Sequence, residues 1–445
     1  MTPDHRWVEL SPAEKREKRF ERWLSPPGAT FKSPEAEEGY KVRVTRFINA
    51  IKLKEPDRVP VILPAGFFPA YYASATLKTV MYDYDELRRA WLKFLHEFEL
   101  DSLPTPGFVF PGKVLESIGY KLYQWPGHGL ADDVAMYQYV EGEYMKHEEY
   151  DALIQNPSDF LMRTFLPRSV EAFRAFKKLG PMTPFVGVPV FYISQFGDPE
   201  IRSAFEALLE AGREGMKWQK AVKEIGQAAL SEGVPYHSGA LCGAPFDLIG
   251  DMLRGTKGVM MDMFQRPEKL HEGMERIIPL VIDEAVGAAD ASGCPIVFMP
   301  LHKGPDGFMS NKQYETFYWP TFRKVMMGLI QHGLVPMPFA EGNYEPRLDI
   351  IKDMPKGTVI WHFETMDMAK AKDVLGGYAC IAGNLAASVL CTGTPQAVKE
   401  GCRRLIETCA PGGGYILTAA AGMNKGHPEN LRAMIEAAKE YGVYR

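Results

Sequence analysis

Residues 334–344 read LVPMPFAEGNY and residues 358–364 read TVIWHFE. Each segment is an apolar run that ends on ionisable side chains, Glu341 in the first and His362 and Glu364 in the second. A glycine follows Glu341 at once and predicts a turn of the backbone there. Apolar strands that end in charge and then break are typical of a parallel α/β barrel, which presents its active site at the carboxyl ends of its strands.

The same pattern continues through the C-terminal part of the chain. From about residue 290 onward, apolar strand patterns alternate with helical patterns at intervals of about 20–40 residues. These strands are short and lack polar alternation, which is typical of parallel strands buried on both faces. The predicted fold class is α/β, a (β/α)8 TIM barrel over residues 39–445 with an N-terminal extension over residues 1–38. A doubly wound open sheet is the alternative.

The rest of the chain adds two features to this barrel. Residues 104–145 are rich in aromatic and turn residues and predict a β- and loop-rich insertion. Residues 12–23 predict an amphipathic helix within the extension, which would serve as a surface arm or as the subunit contact of a homodimer. A further strand is predicted over residues 185–190.

Composition excludes several classes of protein. Apolar residues make up 46% and charged residues 24% of the 445 residues, which is typical of a soluble globular protein. A net charge of −5 without a basic cluster argues against a nucleic-acid partner. Six cysteines without a CxxC pair argue against a disulfide framework. No apolar leader or membrane-spanning run occurs, so a cytoplasmic protein is expected.

A set of short segments has the order and spacing of a known family. They are KVRVTRFINA (41–50), EPDRVPV (55–61), APFD (244–247), RPEK (266–269), IAGNL (381–385), GGGYIL (412–417) and PENLRAM (428–434). Together they resemble the uroporphyrinogen decarboxylase superfamily over roughly residues 40–445. This resemblance implies a TIM barrel and an activity of one of two branches, the porphyrinogen decarboxylases or the cobalamin-dependent methyltransferases.

The segment after the first strand separates these branches. Porphyrinogen decarboxylases carry Arg-Gln-Ala-Gly-Arg there, and its arginines grip the substrate propionates. Here residues 64–71 read PAGFFPAY and contain no cation. The resemblance therefore implies the methyltransferase branch, with an apolar and aromatic cavity in place of a polycarboxylate site.

Two zinc patterns occur within the methyltransferase branch. Methylcobalamin:thiol methyltransferases use a His-x-Cys-Gly turn and a later Cys, which align here with residues 339–342 and with Ala421, so all three ligands are missing. Ether-demethylating methyltransferases are thought to use two Glu and a His. The spacing of their second Glu and the His is that of Glu341 and His362, but their first Glu falls at Met326.

The resemblance implies a corrinoid-linked methyltransferase that moves a methyl group between a small O-, N- or S-methyl compound and a corrinoid (cobalamin) held by a partner protein. Glu341 and His362, with His302, are the predicted catalytic residues, acting by proton donation or as ligands of a zinc ion. A third zinc ligand would come from His302, Asp306 or Glu364. The predicted substrate- and cofactor-binding residues are Asn384, Tyr344, Glu364, Asp306 and His237.

Two other functions stay open from the sequence. One is a decarboxylase-type lyase that acts on a tetrapyrrole or another carboxylate, which converging arginines in the pocket would favour. The other is a barrel that binds a corrinoid without catalysis, which a pocket lacking ordered acid and base groups would favour.

Overall fold

The strands belong to two separate sheets of a computed structural model that describes residues 5–183, 186 and 188–444. In chain order they are β1 (Tyr123–Pro126), β2 (Gly129–Leu130), β3 (Gln138–Tyr139), β4 (Ala240–Leu241), β5 (Ile296–Leu301), β6 (Val335–Asn343), β7 (Ile360–Thr365), β8 (Cys380–Ala382) and β9 (Tyr415–Ile416). The first three form the small sheet of the predicted insertion, where β1 pairs with β3 in antiparallel fashion. The other six form one parallel sheet in chain order.

Two single bridges extend the parallel sheet at both ends. Val61 bridges Leu417 next to β9, and Leu103 bridges Tyr236 just before β4, both in parallel orientation. The sheet thus has eight parallel segments around a common interior, and these alternate with helices along the chain. This confirms the predicted (β/α)8 barrel and excludes the open doubly wound sheet.

A carboxylate joins the first two barrel segments. Within the described residues no backbone hydrogen bond connects the Val61 segment to the Leu103 segment. Instead, Asp101 Oδ2 accepts a hydrogen bond from Val61 N at 2.9 Å. The same carboxylate binds Arg46 at 2.5 Å and Arg58 at 2.7 Å, and its side chain is almost fully buried. We call this junction the Asp101 seam.

The amino-terminal end of the barrel is filled by apolar side chains. The helix Pro34–Ile51 packs Val44, Phe47 and Ile51 beneath the sheet, all fully buried. The strand residues that meet this helix from inside the barrel are Ile62, Ile296, Val335, Met337, Ile360, Cys380 and Ile416. Because this end is closed, the carboxyl ends of the strands form the open mouth of the barrel.

The N-terminal extension lies against this closed end. The predicted amphipathic helix is present as Pro12–Leu24, and its Phe20 and Trp23 join the same apolar cluster. Arg19 Nε donates to the carbonyl of His332 at 2.7 Å. The helix Pro34–Ile51 begins before the proposed division at residue 38, and that division stays a prediction.

Helices make up most of the rest of the chain. In the first half of the chain the α-helices are His5–Glu9, Pro12–Leu24, Pro34–Ile51, Phe68–Tyr72, Leu77–Tyr82, Tyr84–Glu97, Gly112–Ile118, Tyr150–Gln155, Pro157–Phe160, Leu166–Ser169 and Pro199–Ser231. In the second half they are Pro245–Leu248, Gly255–Gln265, Pro267–Ser292, Asn311–Gln313, Trp319–Gln331, Leu348–Ile351, Met368–Leu375, Ala387–Thr392, Pro395–Cys409 and Pro428–Tyr441. Short 3₁₀ turns cover Pro106–Phe108, His147–Glu149, Glu171–Lys178, Ile193–Gly197 and Glu345–Arg347. Wider π turns cover Leu161–Phe165, Val188–Tyr192, Ile249–Arg254 and Tyr314–Tyr318.

No helix of the described residues has the length and apolar character needed to cross a membrane.

Two local predictions were wrong. The predicted strand over residues 185–190 lies partly outside the described residues, and its described end belongs to the helical turn Val188–Tyr192. The predicted turn at Gly342 is a bulge, because β6 continues to Asn343 while its register against β7 shifts. Gly342 has a φ of 79°, and its amide donates to the Glu364 carboxylate at 2.6 Å in place of a ladder partner.

Candidate active site

The ends of four neighbouring strands meet at the mouth of the barrel. Met299 lies in β5, Glu341 near the end of β6, Glu364 near the end of β7, and Asn384 two residues after β8. These strands are adjacent and parallel, so their carboxyl ends lie on one side of the sheet. Glu341 and Asn384 are therefore at the same end of the barrel.

His302 links two carboxylates at this mouth. It follows β5 directly, and its Nδ1 lies 2.6 Å from Asp251 Oδ2. Its Nε2 lies 3.8 Å from Glu341 Oε1. We call Asp251, His302 and Glu341 the rim relay. An imidazole between two carboxylates can hold a proton on either nitrogen and pass it to a group bound beside it.

Asp247 holds the backbone that carries His302. Its carboxylate accepts the backbone N–H of His302 at 3.0 Å and that of Lys303 at 2.9 Å. It also accepts the hydroxyl of Tyr318 at 2.6 Å and is only 3% exposed. Lys303 in turn forms an ion pair with Asp251. These bonds restrict the turn after β5 and thereby fix the backbone position of His302.

The surroundings shift the proton affinities of the relay. The hydrogen bond to Asp251 raises the pKa of His302 to about 9, so the imidazole is protonated at neutral pH. Burial raises the pKa of Glu341 to about 7; His302 opposes this rise, and nearby Glu364 adds to it. Burial raises the pKa of Asp247 to about 6. Burial acts against ionisation of Asp251, but the bonds from His302 and Lys303 outweigh it and lower its pKa.

These shifts predict a pH-dependent stability. The folded pKa of Glu341 lies above its ordinary value, so its favourable contribution is lost as pH rises from about 4.5 to about 7. The contribution of His302 is complete below pH 6.5 and is lost as pH rises through about 9. The urea midpoint of the wild type should therefore fall more between pH 6 and 9 than that of the doubly substituted Glu341→Gln, His302→Gln protein. Parallel curves for the two proteins would contradict these pKa shifts.

His362 lies deeper in the barrel than the rim relay. Phe339 is its register partner, and the two ring centroids are 4.4 Å apart. Glu341 is two residues further along β6, about 6–7 Å nearer the mouth, where it lies at the level of Glu364. His362 Nε2 donates to the carbonyl of Ala419 at 2.9 Å, and burial lowers the pKa of His362 to about 4. The register therefore separates Glu341 from His362, and His302 is the histidine that Glu341 meets.

The other predicted binding residues have different settings. His237 Nδ1 lies 3.0 Å from Ser102 Oγ, and burial lowers the pKa of His237 to about 4. Tyr344 is fully buried, and its ring meets that of Tyr314 edge to face. Asp306 is exposed, and its backbone N–H bonds to the carbonyl of Asn343.

The side chains of Glu364 and Asn384 form hydrogen bonds with backbone groups at the mouth. The Glu364 carboxylate accepts the amide of Gly342 next to Glu341. The side-chain amide of Asn384 donates to the carbonyls of Glu364 and Met366 at 3.3 Å and 2.9 Å. Both side chains thus order the strand ends around the rim relay.

Sequence reasoning missed Asp247, Asp251 and Lys303. Asp247 and Asp251 are four residues apart on the helical segment Pro245–Arg254, so they lie on one face of it. Two acids on one helix face after a barrel strand are a recognisable signal, but the sequence does not reveal that this face meets His302.

The zinc ion implied by the ether-demethylating pattern does not fit these residues. The described part of the chain contains no group of three His, Cys, Asp or Glu side chains that could hold a metal ion. Glu341 and His362 lie at different depths, and His362 Nε2 already bonds to a carbonyl. No catalytic step is therefore assigned to a metal below.

Comparison with known families agrees with this barrel. The family model of uroporphyrinogen decarboxylase (URO-D) matches residues 195–441, which is more than half of the chain. The chain belongs to the uroporphyrinogen decarboxylase family.

Solved structures give a similar result for the fold. A methyltransferase from Methanosarcina mazei is similar over 90% of this chain and 98% of its own, with a TM-score of 0.56 and 16% sequence identity. A B12-independent methionine synthase from Shewanella sp. W3-18-1 in complex with selenomethionine is similar over 45% of this chain and 61% of its own, with a TM-score of 0.33 and 10% identity. This second likeness is too weak to bear on the fold. No curated protein matches the sequence.

Proposed function

We propose that this protein is a methyltransferase that moves a methyl group between a small O-, N- or S-methyl compound and the corrinoid of a partner protein. The observation that carries the proposal is the geometry of the rim relay, in which His302 lies between Asp251 and Glu341 at the open end of the barrel. A relay of this kind suits the protonation of a poor leaving group, which methyl transfer from an ether or amine requires.

Glu341 is the proton donor in this proposal. The bond between the heteroatom and the methyl carbon breaks, and its electron pair stays on the heteroatom. The corrinoid of the partner protein, when bound and reduced, would supply the nucleophile that accepts the methyl group. Glu341, whose pKa of about 7 lets it keep a proton near neutral pH, gives that proton to the heteroatom. The resulting carboxylate is stabilised by the His302 imidazolium 3.8 Å away, and Asp251 holds the imidazolium in place.

Aromatic rings in the interior and at the mouth support a small apolar substrate. Phe298 and Phe339 stack at 6.0 Å within the barrel. In the insertion, Tyr137 stacks on Phe110 at 4.7 Å and meets Phe67 edge to face at 5.2 Å. Phe67 belongs to the segment where the decarboxylases carry arginines.

The cations next to the rim relay favour this proposal over a decarboxylase-type lyase. Lys303 forms an ion pair with Asp251. Arg347 is fully buried, stacks over Tyr314 at 4.7 Å, and bonds to Asn311 and to the carbonyl of Met309. Both cations are thus engaged within the protein and do not serve substrate carboxylates.

The direct test is methyl transfer to free cob(I)alamin, followed by its absorbance, with an aryl methyl ether, a methylamine and a methyl thioether as donors. Turnover of one of these donors is the expected result. Uroporphyrinogen is expected to react far below the median enzyme rate of about 10 per second. Uroporphyrinogen turnover at that rate without methyl transfer would replace the proposal by the lyase. Cobalamin binding without any turnover would replace it by a corrinoid-binding barrel.

A further inference from the structure

A cavity lies beside the carboxyl ends of β7 and β8. It is formed by the loops after β7 and β8 and by the helix Pro395–Cys409, and its volume is about 550 Å³. We call it the outer groove. Its apolar wall consists of Met366, Leu385, Val389 and Leu405. Small-molecule sites of proteins are concave, mostly apolar and of this size.

The charged side chains of the outer groove differ in how fully they are hydrogen-bonded. Asp367 caps the helix Met368–Leu375 and accepts the amide of Ala369 at 2.9 Å. Glu400 is held by Arg403 through two hydrogen bonds of 2.8 and 3.0 Å. Arg404 also lines the groove and is exposed, yet it makes no hydrogen bond or ion pair with the described residues. The hydrogen bonds from Arg403 are the main cause that lowers the pKa of Glu400, and Arg404 adds a smaller electrostatic effect. The groove thus presents an apolar wall next to a guanidinium that has no hydrogen-bonded partner among the described residues.

We propose that the outer groove binds a small amphipathic monoanion, a carboxylate with an apolar body of about six to ten carbon atoms. The apolar body would lie against Leu385, Val389 and Leu405. The carboxylate would take two parallel N–H donors from Arg404, the geometry in which guanidinium and carboxylate match. The groove adjoins the barrel mouth at Asn384, and it is distinguished from the mouth by Arg404 and Leu405, which lie on the outer helix Pro395–Cys409.

The probe for this site is octanoate, followed by NMR of methyl-¹³C methionine. Met366 lines the groove and reports binding there, and the Met366→Leu variant assigns its signal. Octanoate should shift the Met366 signal in a saturable way with a dissociation constant of about 1 mM or lower. Acetate, which lacks the apolar body, and octan-1-ol, which lacks the charge, should each bind at least about tenfold more weakly.

Two arginine variants test whether octanoate binding depends on Arg404 itself or on the overall charge of the surface. Arg404→Gln should weaken octanoate binding at least about tenfold, whereas Arg202→Gln, an exposed arginine on the helix Pro199–Ser231, should leave it unchanged. The proposal is overturned if the Met366 signal does not move at about 20 mM octanoate. It is also overturned if acetate or octan-1-ol binds as tightly as octanoate, or if both arginine variants behave alike.

Discussion

Glu341→Gln is expected to slow methyl transfer to cob(I)alamin by about 10²–10⁴-fold, the usual contribution of a general acid. Glutamine keeps the size and polarity of the side chain but has no proton to give at neutral pH. Because Glu341 acts on the leaving group, the loss should appear in kcat more than in KM. Initial rates across donor concentrations measure this division. Glu315→Gln, at an exposed site on the turn Tyr314–Tyr318, is the matched control and should keep the wild-type rate.

A double-mutant cycle tests whether Glu341 and His302 act together. If the two residues act as one unit, His302→Gln should cost nearly as much as Glu341→Gln, and the double variant little more than either. The same cycle with His362→Gln should give additive losses, because His362 lies deeper and bonds to Ala419. Additive losses for Glu341 and His302, or non-additive losses for Glu341 and His362, would reject the rim relay.

Asp101→Asn is expected to reduce the free energy of unfolding by about 3–5 kcal/mol, because it leaves the Arg46 and Arg58 guanidinium groups without their buried counter-ion. The variant also weakens the acceptor for Val61 N at the seam. Urea unfolding followed by tryptophan fluorescence measures the change.

The matched control for the seam is Asp57→Asn. Asp57 also binds Arg46, at 2.6 Å, but its side chain is 53% exposed, so water screens the pair. Its replacement should cost only about 0–1 kcal/mol. Equal losses for Asp57→Asn and Asp101→Asn would mean that burial does not distinguish the two ion pairs and that the seam contributes little.

Much of the barrel was predictable because its signals are local. Proline at the first turn marks the starts of Pro267–Ser292 and Pro428–Tyr441, and a left-handed glycine, Gly293, ends the former. Residues 61–63 and 101–103 also read as short strands in the sequence. In the structure each contributes only a single bridge to the sheet, at Val61 and at Leu103.

The sequence indicated some of the residues at the site but did not indicate which of them contact each other. Glu341 and His302 follow from apolar strands that end in charge, which is visible in sequence. The partner of Glu341 depends on register, and the alignment of Phe339 with His362 is set by long-range pairing and by the bulge before Asn343. Asp251 comes from a helical segment about fifty residues before His302, a distance over which sequence patterns carry no information on contact.

The Asp101 seam also bears on how large a partner the barrel can receive. Side-chain bonds can reorient without the loss of a backbone ladder, whereas neighbouring strands elsewhere in the ring are fixed by consecutive amide bonds. The aromatic segment 64–72 and the insertion 104–145 follow the two sides of this junction. Separation of these two parts of the rim would break the side-chain bonds of Asp101 only, and the other strands would keep their pairing. In the proposed methyl transfer from or to a partner's corrinoid, we expect the mouth to widen on this side, where no backbone ladder has to break.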